Sequence, residues 1–152
     1  MAFIGNLLWF IFGLGFIAWA LWFLAGIVFA ITIIGIPFAI AAFRISVFAA
    51  FPFGRELIEG QLVGKERITG TGLLNFLWCI LAGLWLAIYH VCMGVVLCIT
   101  IIGIPFGLAN FKIAQVAFAP LGKVIVSKEL AQAAKARQAN EQLDKALAKP
   151  SK

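Results

Sequence analysis

The chain has 152 residues, of which 64% are hydrophobic and only 12% are charged, with a mean hydropathy of +1.08. This composition excludes an ordinary soluble domain. Residues 1–43 contain no Asp, Glu, Lys or Arg, and residues 68–111 form a second such run of 44 residues. About 20 apolar residues cross a bilayer, so each run is long enough to cross it twice. The sequence therefore predicts an integral membrane protein with two short charged segments.

The net charge of +6 lies beside the apolar runs. Residues 44–67 carry a net charge of +1, and residues 112–152 carry a net charge of +5. Lys and Arg next to membrane segments usually mark the cytoplasmic side, where they meet anionic lipid headgroups. We therefore expect a cytoplasmic C-terminal tail and membrane lipids as partners. Nucleic acid is not expected as a partner, because no aromatic-basic motif accompanies the charge.

No combination of side chains in the sequence predicts an active site or a metal centre. The cysteines Cys79, Cys92 and Cys98 lie inside the second apolar run, without zinc-ligand spacing or a disulfide pattern. His90 is the one histidine, and neither apolar run contains a carboxylate. There is also no glycine-rich phosphate loop followed by Lys. We expect a protein that is not an enzyme and that holds no metal or cofactor.

An internal repeat organises the chain. The sequence Ile-Thr-Ile-Ile-Gly-Ile-Pro-Phe at residues 31–38 recurs without change at residues 99–106, an offset of 68. Over the 25 residues that begin at these two points, 14 are identical. The predicted domains are a first copy, a polar linker, a second copy and a basic helical tail, at residues 1–58, 59–69, 70–126 and 127–152.

Three motifs occur in both copies: the doubled Ile-Thr-Ile-Ile-Gly-Ile-Pro-Phe, a Phe-Arg/Lys-Ile and a Pro-x-Gly. The last two lie at residues 43–45 and 111–113 and at residues 52–54 and 120–122. On these motifs, the sequence resembles the YccF family of bacterial inner-membrane proteins. The resemblance implies a small multi-pass protein of the cytoplasmic membrane with a duplicated domain. It implies no reaction.

The predicted fold class is an all-α membrane protein, two tandem repeats of hydrophobic helices with a C-terminal helical tail. In the favoured arrangement, each copy is a helical hairpin that turns near residues 19–22 or 85–90, giving about four membrane segments. The alternative is one long tilted span per copy, ended by Gly-Ile-Pro and followed by an interfacial helix. The favoured arrangement also allows short strands that begin at Arg55 and Lys123 to pair. The tail is predicted as a helix from an N-cap at Ser127 to Pro150.

The Gly-Ile-Pro breaks are the strongest candidates for a functional site. Proline removes a backbone donor, and paired breaks in two halves of a membrane protein can mark a transport site. Under this hypothesis the breaks line a polar path or gate, whereas in the alternative they only end helices at the interface. The residues concerned are Thr32, Gly35, Pro37, Thr100, Gly103 and Pro105.

Other residues are assigned structural or lipid-binding roles. Arg44 and Lys112 are predicted to bind lipid headgroups, since a charge at mid-bilayer is costly. His90 is either a titratable gate or an interfacial residue. Small residues four apart should allow helices to pack between copies or subunits, namely Gly26, Ala30, Gly94 and Cys98. The resulting hypotheses are an oligomeric channel or transport component and, alternatively, a non-conducting membrane adaptor whose tail binds a partner protein or anionic lipid.

Overall fold

The computed structural model describes residues 2–66 and 69–148 and divides the chain into two compact units. The helical unit takes residues 1–53 and 69–121, and the polar unit takes residues 54–68 and 122–152. Each unit therefore combines parts of both sequence copies. All six acidic residues and ten of the twelve basic residues belong to the polar unit, and only Arg44 and Lys112 belong to the helical unit.

Each copy contributes a set of helices to the helical unit. The first copy forms α1 (Ala2–Phe12), α2 (Gly15–Ala30) and α3 (Ile36–Ala50). The second copy forms α4 (Thr71–Trp78), a π-helical segment (Cys79–Gly83), α5 (Leu84–Cys98) and α6 (Ile104–Ala117). The helices of both copies consist largely of Leu, Ile, Phe and Ala, and a helix satisfies the backbone hydrogen bonds of such apolar segments internally.

The first helical stretch differs between the copies. In the first copy α1 and α2 meet at 77°, with Leu14 in the left-handed conformation at φ 64°. In the second copy the π-helical segment occupies the equivalent place, and Thr71–Cys98 is one helix of 28 residues. The first copy has five residues between Trp9 and Gly15, one more than the second copy has between Trp78 and Gly83. The copies thus carry the same irregularity, as a sharp bend in one and a π-bulge in the other.

The predicted position of the hairpin turns is wrong. Residues 19–22 lie inside α2, and residues 85–90 lie inside α5. The chain instead reverses between α2 and α3, and again between α5 and α6, at the Gly-Ile-Pro motifs. Phe29 contacts Phe38 next to the first turn, and Phe23 contacts Phe43 further from it, so α2 and α3 are antiparallel. Each copy is therefore a helical hairpin, but one closed by the repeated motif.

The polar unit contains the predicted strand pair. Strands β1 (Arg55–Glu59) and β2 (Lys123–Ser127) are antiparallel, which confirms the pairing expected from the sequence. Leu57 and Ile125 occupy the centre of the ladder and are themselves equivalent, since they are 68 residues apart. The ladder thus has the same approximate two-fold relation as the repeat. The all-α prediction needs this correction, because two strands accompany the helices.

Helix α7 (Lys128–Leu147) completes the polar unit together with a 3₁₀ turn at Gly60–Val63. Its N-cap is Ser127, whose hydroxyl accepts a hydrogen bond from the Leu130 amide, as the sequence predicted. The predicted C-terminal stop at Pro150 lies outside the described residues. The core of the unit is a small apolar cluster of strand, turn and helix residues, namely Ile58, Val124, Ala131 and Ala134, with Leu62, Val63 and Val126 beside it.

Among the described residues, one helix is both long and apolar enough to cross a membrane by itself, Thr71–Cys98. The pair formed by α1 and α2 meets the same criterion only when its two bent parts are taken together. Helix α3 is apolar but shorter. The helical unit therefore offers one clear candidate span and one broken one.

Candidate functional site

The Gly-Ile-Pro turn of the first copy is closed by its own polar groups. The Gly35 amide donates to both the carbonyl and the hydroxyl oxygen of Thr32, each at 3.0 Å. A Cβ on Gly35 would lie 2.0 Å from the Phe29 carbonyl oxygen, so the turn requires glycine there. Pro37 lies in the first turn of α3, where a missing amide donor costs no helical bond.

The turn of the second copy repeats this geometry. The Gly103 amide donates to the carbonyl of Thr100 at 3.0 Å and to its hydroxyl at 3.1 Å. Pro105 again lies in the first turn of the following helix, α6. The helix before each proline has already ended, and the Ile33 and Ile101 carbonyls accept from the Ile36 and Ile104 amides at 3.3 Å. In both copies the motif builds a compact turn.

The surface of these turns is almost wholly isoleucine. We call residues 31–36 and 99–104 the isoleucine turns. Ile33 and Ile101 are 86% and 87% exposed, which places them among the most exposed side chains of the helical unit. Their neighbours are similarly exposed, namely Ile31, Ile34, Ile99 and Ile102.

Matching hydrogen bonds occur at equivalent positions of the two copies. The Trp9 indole donates to the Ala49 carbonyl at 2.8 Å, and Trp78 donates to the Ala117 carbonyl at 2.7 Å. The second matched pair involves asparagine side chains, each of which donates to the carbonyl and accepts from the amide of one residue. Asn6 bonds Phe53 in this way, and Asn75 bonds Leu121. These bonds tie the start of each copy to the chain that follows its hairpin.

The interior between the copies is filled with aromatic rings. Trp78 of the second copy packs on Phe38 of the first at 6.0 Å between ring centroids, and Trp9 of the first packs on Phe106 of the second at 6.2 Å. Phe38 and Phe106 occupy the same repeat position, so in each contact the tryptophan of one copy packs on the equivalent phenylalanine of the other. The two contacts are therefore related by an approximate two-fold axis. Trp9, Trp78 and Trp22 are fully buried. The centre of the helical unit is thus a packed aromatic core.

One polar chain crosses this core. Trp22 and His90 are again the same repeat position, and the Trp22 indole donates to His90 Nε2 at 3.0 Å. Because indole nitrogen is a donor only, Nε2 must be the unprotonated nitrogen of a neutral imidazole. The proton then lies on Nδ1, which donates to Asn110 Oδ1 at 2.9 Å. Asn110 in turn donates to the Phe106 carbonyl at 3.3 Å.

The burial of His90 contradicts its predicted interfacial setting, whereas its role as a titratable gate stays a prediction. Its side chain is fully buried between the copies rather than at an interface, and both ring nitrogens are engaged. The geometry supports a structural role, in which the imidazole accepts from Trp22 of the first copy and donates to Asn110 of its own copy. Trp22 and His90 are 68 residues apart, so the repeat offset already marks them as equivalent positions in the sequence.

The predicted small-residue contacts lie inside each copy rather than between copies. A Cβ on Gly26 would lie 2.5 Å from the Phe43 ring, and one on Gly94 would lie 2.6 Å from Phe111. The glycines therefore let α2 approach α3, and α5 approach α6. Of their predicted partners, Ala30 is exposed at the end of α2, and the Cys98 sulfur lies beside Gly107 in the second hairpin.

The two charged residues of the helical unit occupy equivalent places. Lys112 donates to the Pro52 carbonyl at 3.4 Å and lies over the Phe48 ring, 5.4 Å from its centroid. Its ammonium group therefore reaches toward the end of the first copy. Arg44 is exposed on α3. Neither arrangement tests the prediction that these residues bind lipid headgroups.

Helix α7 has two apolar faces, only one of which is covered. Ala131 and Ala134 face the strand pair and are buried. Leu143 follows Ala134 by nine residues, which is two and a half helical turns, so it points the opposite way. It belongs to an exposed stripe spaced three and four residues apart, which we call the outer stripe of α7: Ala136, Ala139, Leu143, Ala146 and Leu147.

A groove of about 330 Å³ lies on the inner side of α7. The 3₁₀ turn forms one wall, and Arg137, Gln138 and Glu141 of α7 form the other. Arg137 and Glu141 bond to each other at 2.9 Å along the helix. Among the described residues, no cluster of three or more His, Cys, Asp or Glu side chains could hold a metal ion.

Comparison with known proteins assigns the family. The sequence matches YccF, the inner membrane component domain, twice, at residues 4–55 and 73–123. The chain belongs to the YccF family. It is 40% identical over 140 residues to "Inner membrane protein YccF" of Escherichia coli strain K12, and equally similar to the protein of that name in Shigella flexneri.

These matches cover 89% of this chain and 93% of each relative. No solved structure matches the chain. The family resemblance seen in the repeat motifs is thus confirmed, and both matched segments coincide with the sequence copies. The names of the relatives support an inner-membrane location and state no activity.

Proposed function

We propose that this protein is a non-conducting adaptor of the inner membrane, with no enzymatic activity of its own. The helical unit anchors it in the bilayer, and the outer stripe of α7 binds a helix of a partner protein. The observation that carries the proposal is the stripe itself, an apolar face exposed on a helix whose opposite face already packs on the strands.

The composition of the outer stripe favours a helical partner. Leu143 and Leu147 are 56% and 76% exposed and lie one turn apart. The other three members are alanines, which let a second backbone approach closely, while the leucines supply apolar area. An amphipathic helix that packs along this face would cover both the alanines and the leucines. Charged residues beside the stripe, such as Lys135 and Asp144, would form the polar rim.

The helical unit supports the non-conducting part of the proposal. A path through the breaks needs polar groups that face water, yet the Thr32 and Thr100 hydroxyls bond within their own turns. The interior between the copies is occupied by indole and phenyl rings, with Trp22 and Trp78 stacked at 5.8 Å. Aromatic packing of this kind leaves the chain as an anchor rather than as the wall of a pathway.

Site-specific photo-crosslinking in intact cells tests the adaptor. A photoreactive amino acid at Leu143 should give a discrete crosslinked species, which mass spectrometry identifies. The matched control places the same group at Lys145, which is about 200° around the helix and off the stripe. Equal crosslinking at both positions, or none at Leu143, contradicts the proposal. A species that contains only this chain would replace the partner by a second copy and make the protein a homo-oligomer.

Ion flux separates the adaptor from the channel hypothesis. Purified protein in liposomes should pass no ions above the rate of protein-free liposomes, for the wild type and for Pro37→Ala and Pro105→Ala alike. Flux that depends on protein concentration and changes with either proline variant would favour an oligomeric channel instead. Crosslinking and flux fail independently, so each part of the proposal has its own test.

A further inference from the structure

We propose that both isoleucine turns end inside the hydrocarbon of the bilayer, covered by lipid acyl chains. In this arrangement both hairpins enter the membrane from one side, and neither turn emerges in the opposite aqueous compartment. The helical unit is then anchored from a single face, by two apolar hairpins whose closed ends contact lipid.

The surface of the turns matches acyl chains and not water. Turns that lie in water are rich in Gly, Asn, Asp, Ser and Pro, whose side chains satisfy exposed backbone groups. Here four of the six residues in each turn are isoleucine, and Ile33 and Ile101 are almost completely exposed. The polar exceptions, Thr32 and Thr100, bond the Gly35 and Gly103 amides. A segment whose polar side chains are satisfied internally and whose surface is apolar can lie in hydrocarbon.

The strand ladder requires both copies to return to the same compartment. Strands β1 and β2 pair directly, and the charged residues of the polar unit flank them. The second copy lies between these strands in the sequence. The chain that leaves β1 must therefore come back to the same side before it forms β2. The second copy thus crosses the bilayer an even number of times, and a hairpin that enters and returns satisfies this condition.

The lengths of the returning helices place the turns short of the far surface. Helix α3 has 15 residues and α6 has 14, which correspond to about 22 Å and 21 Å at 1.5 Å per residue. The hydrocarbon core is about 30 Å thick. A helix that begins at one edge of the core and has this length ends within it. The longer helix Thr71–Cys98 stays within the core only if it tilts, because the stretch from Asn75, which bonds Leu121 just beyond α6, to Cys98 is about 34 Å long.

The equivalent basic residues fit the same depth. Arg44 and Lys112 each follow the first residue of their helix by eight positions, about 12 Å along the axis. Their side chains are long enough to extend toward the headgroups on the entry side, and Lys112 extends toward Pro52 at the end of the first copy. The same spacing would place both charges near mid-bilayer if the turns reached the far interface.

Electron paramagnetic resonance can measure the depth of the turns directly. Single spin labels are attached to Ile33→Cys and, separately, Ile101→Cys, with the three native cysteines replaced by alanine. The full-length protein is reconstituted in phosphatidylethanolamine and phosphatidylglycerol liposomes. Power saturation then reports collisions with oxygen, which concentrates in hydrocarbon, and with a nickel chelate, which stays in water. Gln61→Cys, on the exposed 3₁₀ turn of the polar unit, is the control.

Each outcome decides the proposal. We expect both turn labels to be more accessible to oxygen and less accessible to nickel than the label at Gln61→Cys. A turn label that collides with nickel as often as the control places the turn in water and overturns the proposal. A turn label that neither reagent reaches is covered by protein, which also overturns it. The second turn position keeps the test valid if one variant fails to fold.

Discussion

Replacing Trp78 with alanine should be among the most damaging single changes in the helical unit. Trp78 is fully buried, and its indole donates to Ala117 at 2.7 Å. Trp85, on the same long helix, is 67% exposed and serves as the matched control. The rings that surround Trp78 come from the first copy, at centroid distances of 5.2 to 6.0 Å, namely Trp22, Phe29 and Phe38.

The magnitude follows from the cavity and the hydrogen bond. Lipid is as apolar as the core, so little transfer free energy is lost when Trp78 is truncated. A residual cavity on the order of 100 Å³, at about 24 cal/mol per Å³, costs about 2.4 kcal/mol. The lost bond to Ala117 adds about 1 kcal/mol. We therefore expect a loss of about 3 kcal/mol for Trp78→Ala, and a change within about 0.5 kcal/mol for Trp85→Ala.

Reversible unfolding in mixed micelles measures both values. The free energy of unfolding is compared for the wild type, Trp78→Ala, Trp85→Ala and Trp78→Phe, the last of which keeps an aromatic ring and loses the bond. Trp78→Phe should lie between the other two variants. If Trp85→Ala costs as much as Trp78→Ala, the aromatic core does not stabilise the protein as argued above.

Two further changes probe the polar contacts of each unit. His90→Leu should destabilise the helical unit by about 1 to 2 kcal/mol in the same assay, because the buried Trp22 donor and the Asn110 amide lose their partner; no loss would contradict the bridging role. Ser127→Ala should cost about 1 kcal/mol of helix stability, seen as lower α7 protection in hydrogen exchange. Hydrogen bonds from the Glu129 backbone amide and the Ser127 hydroxyl lower the pKa of the Glu129 carboxyl. The ionised Glu129 carboxylate therefore stabilises α7 above the ordinary carboxyl pKa, and this stabilisation is lost as the pH falls through the lowered pKa. The protection of α7 from hydrogen exchange should fall on acidification.

Features that depend on local sequence could be predicted, and the strand pair is the best example. Arg55 and Lys123 open equivalent segments after equivalent Pro-x-Gly motifs, which was enough to propose pairing. The N-cap of α7 was equally local, because a serine before an acidic first turn is a strong helix start. The repeat and the family followed from identity between the copies.

The favoured arrangement misplaced the hairpin turns, although the alternative arrangement already ended each long helix at Gly-Ile-Pro. The favoured arrangement placed the turns at residues 19–22 and 85–90, because amphipathic aromatics and an imidazole are expected at a membrane interface. In the structure Trp22 and His90 are core residues and Trp85 is exposed on α5, and the turn is built from isoleucine, threonine, glycine and proline. Gly35 carried the available signal, since a Gly-x-Pro after an apolar run ends one helix and starts another.

The contact between Trp22 and His90 shows what duplication within one chain permits. Residues at the same repeat position meet where an approximate two-fold axis passes between the copies. Two separate chains of the first copy would bring two indole donors together without an acceptor, and an indole nitrogen cannot accept. Linking two unequal copies lets one position be the donor and its equivalent be the acceptor. The second copy also supplies Asn110 where the first has Ala42, so that the imidazole proton has a partner. The polar chain therefore favours pairing of the first copy with the second over pairing of like copies, in a core whose aromatic contacts alone would allow either.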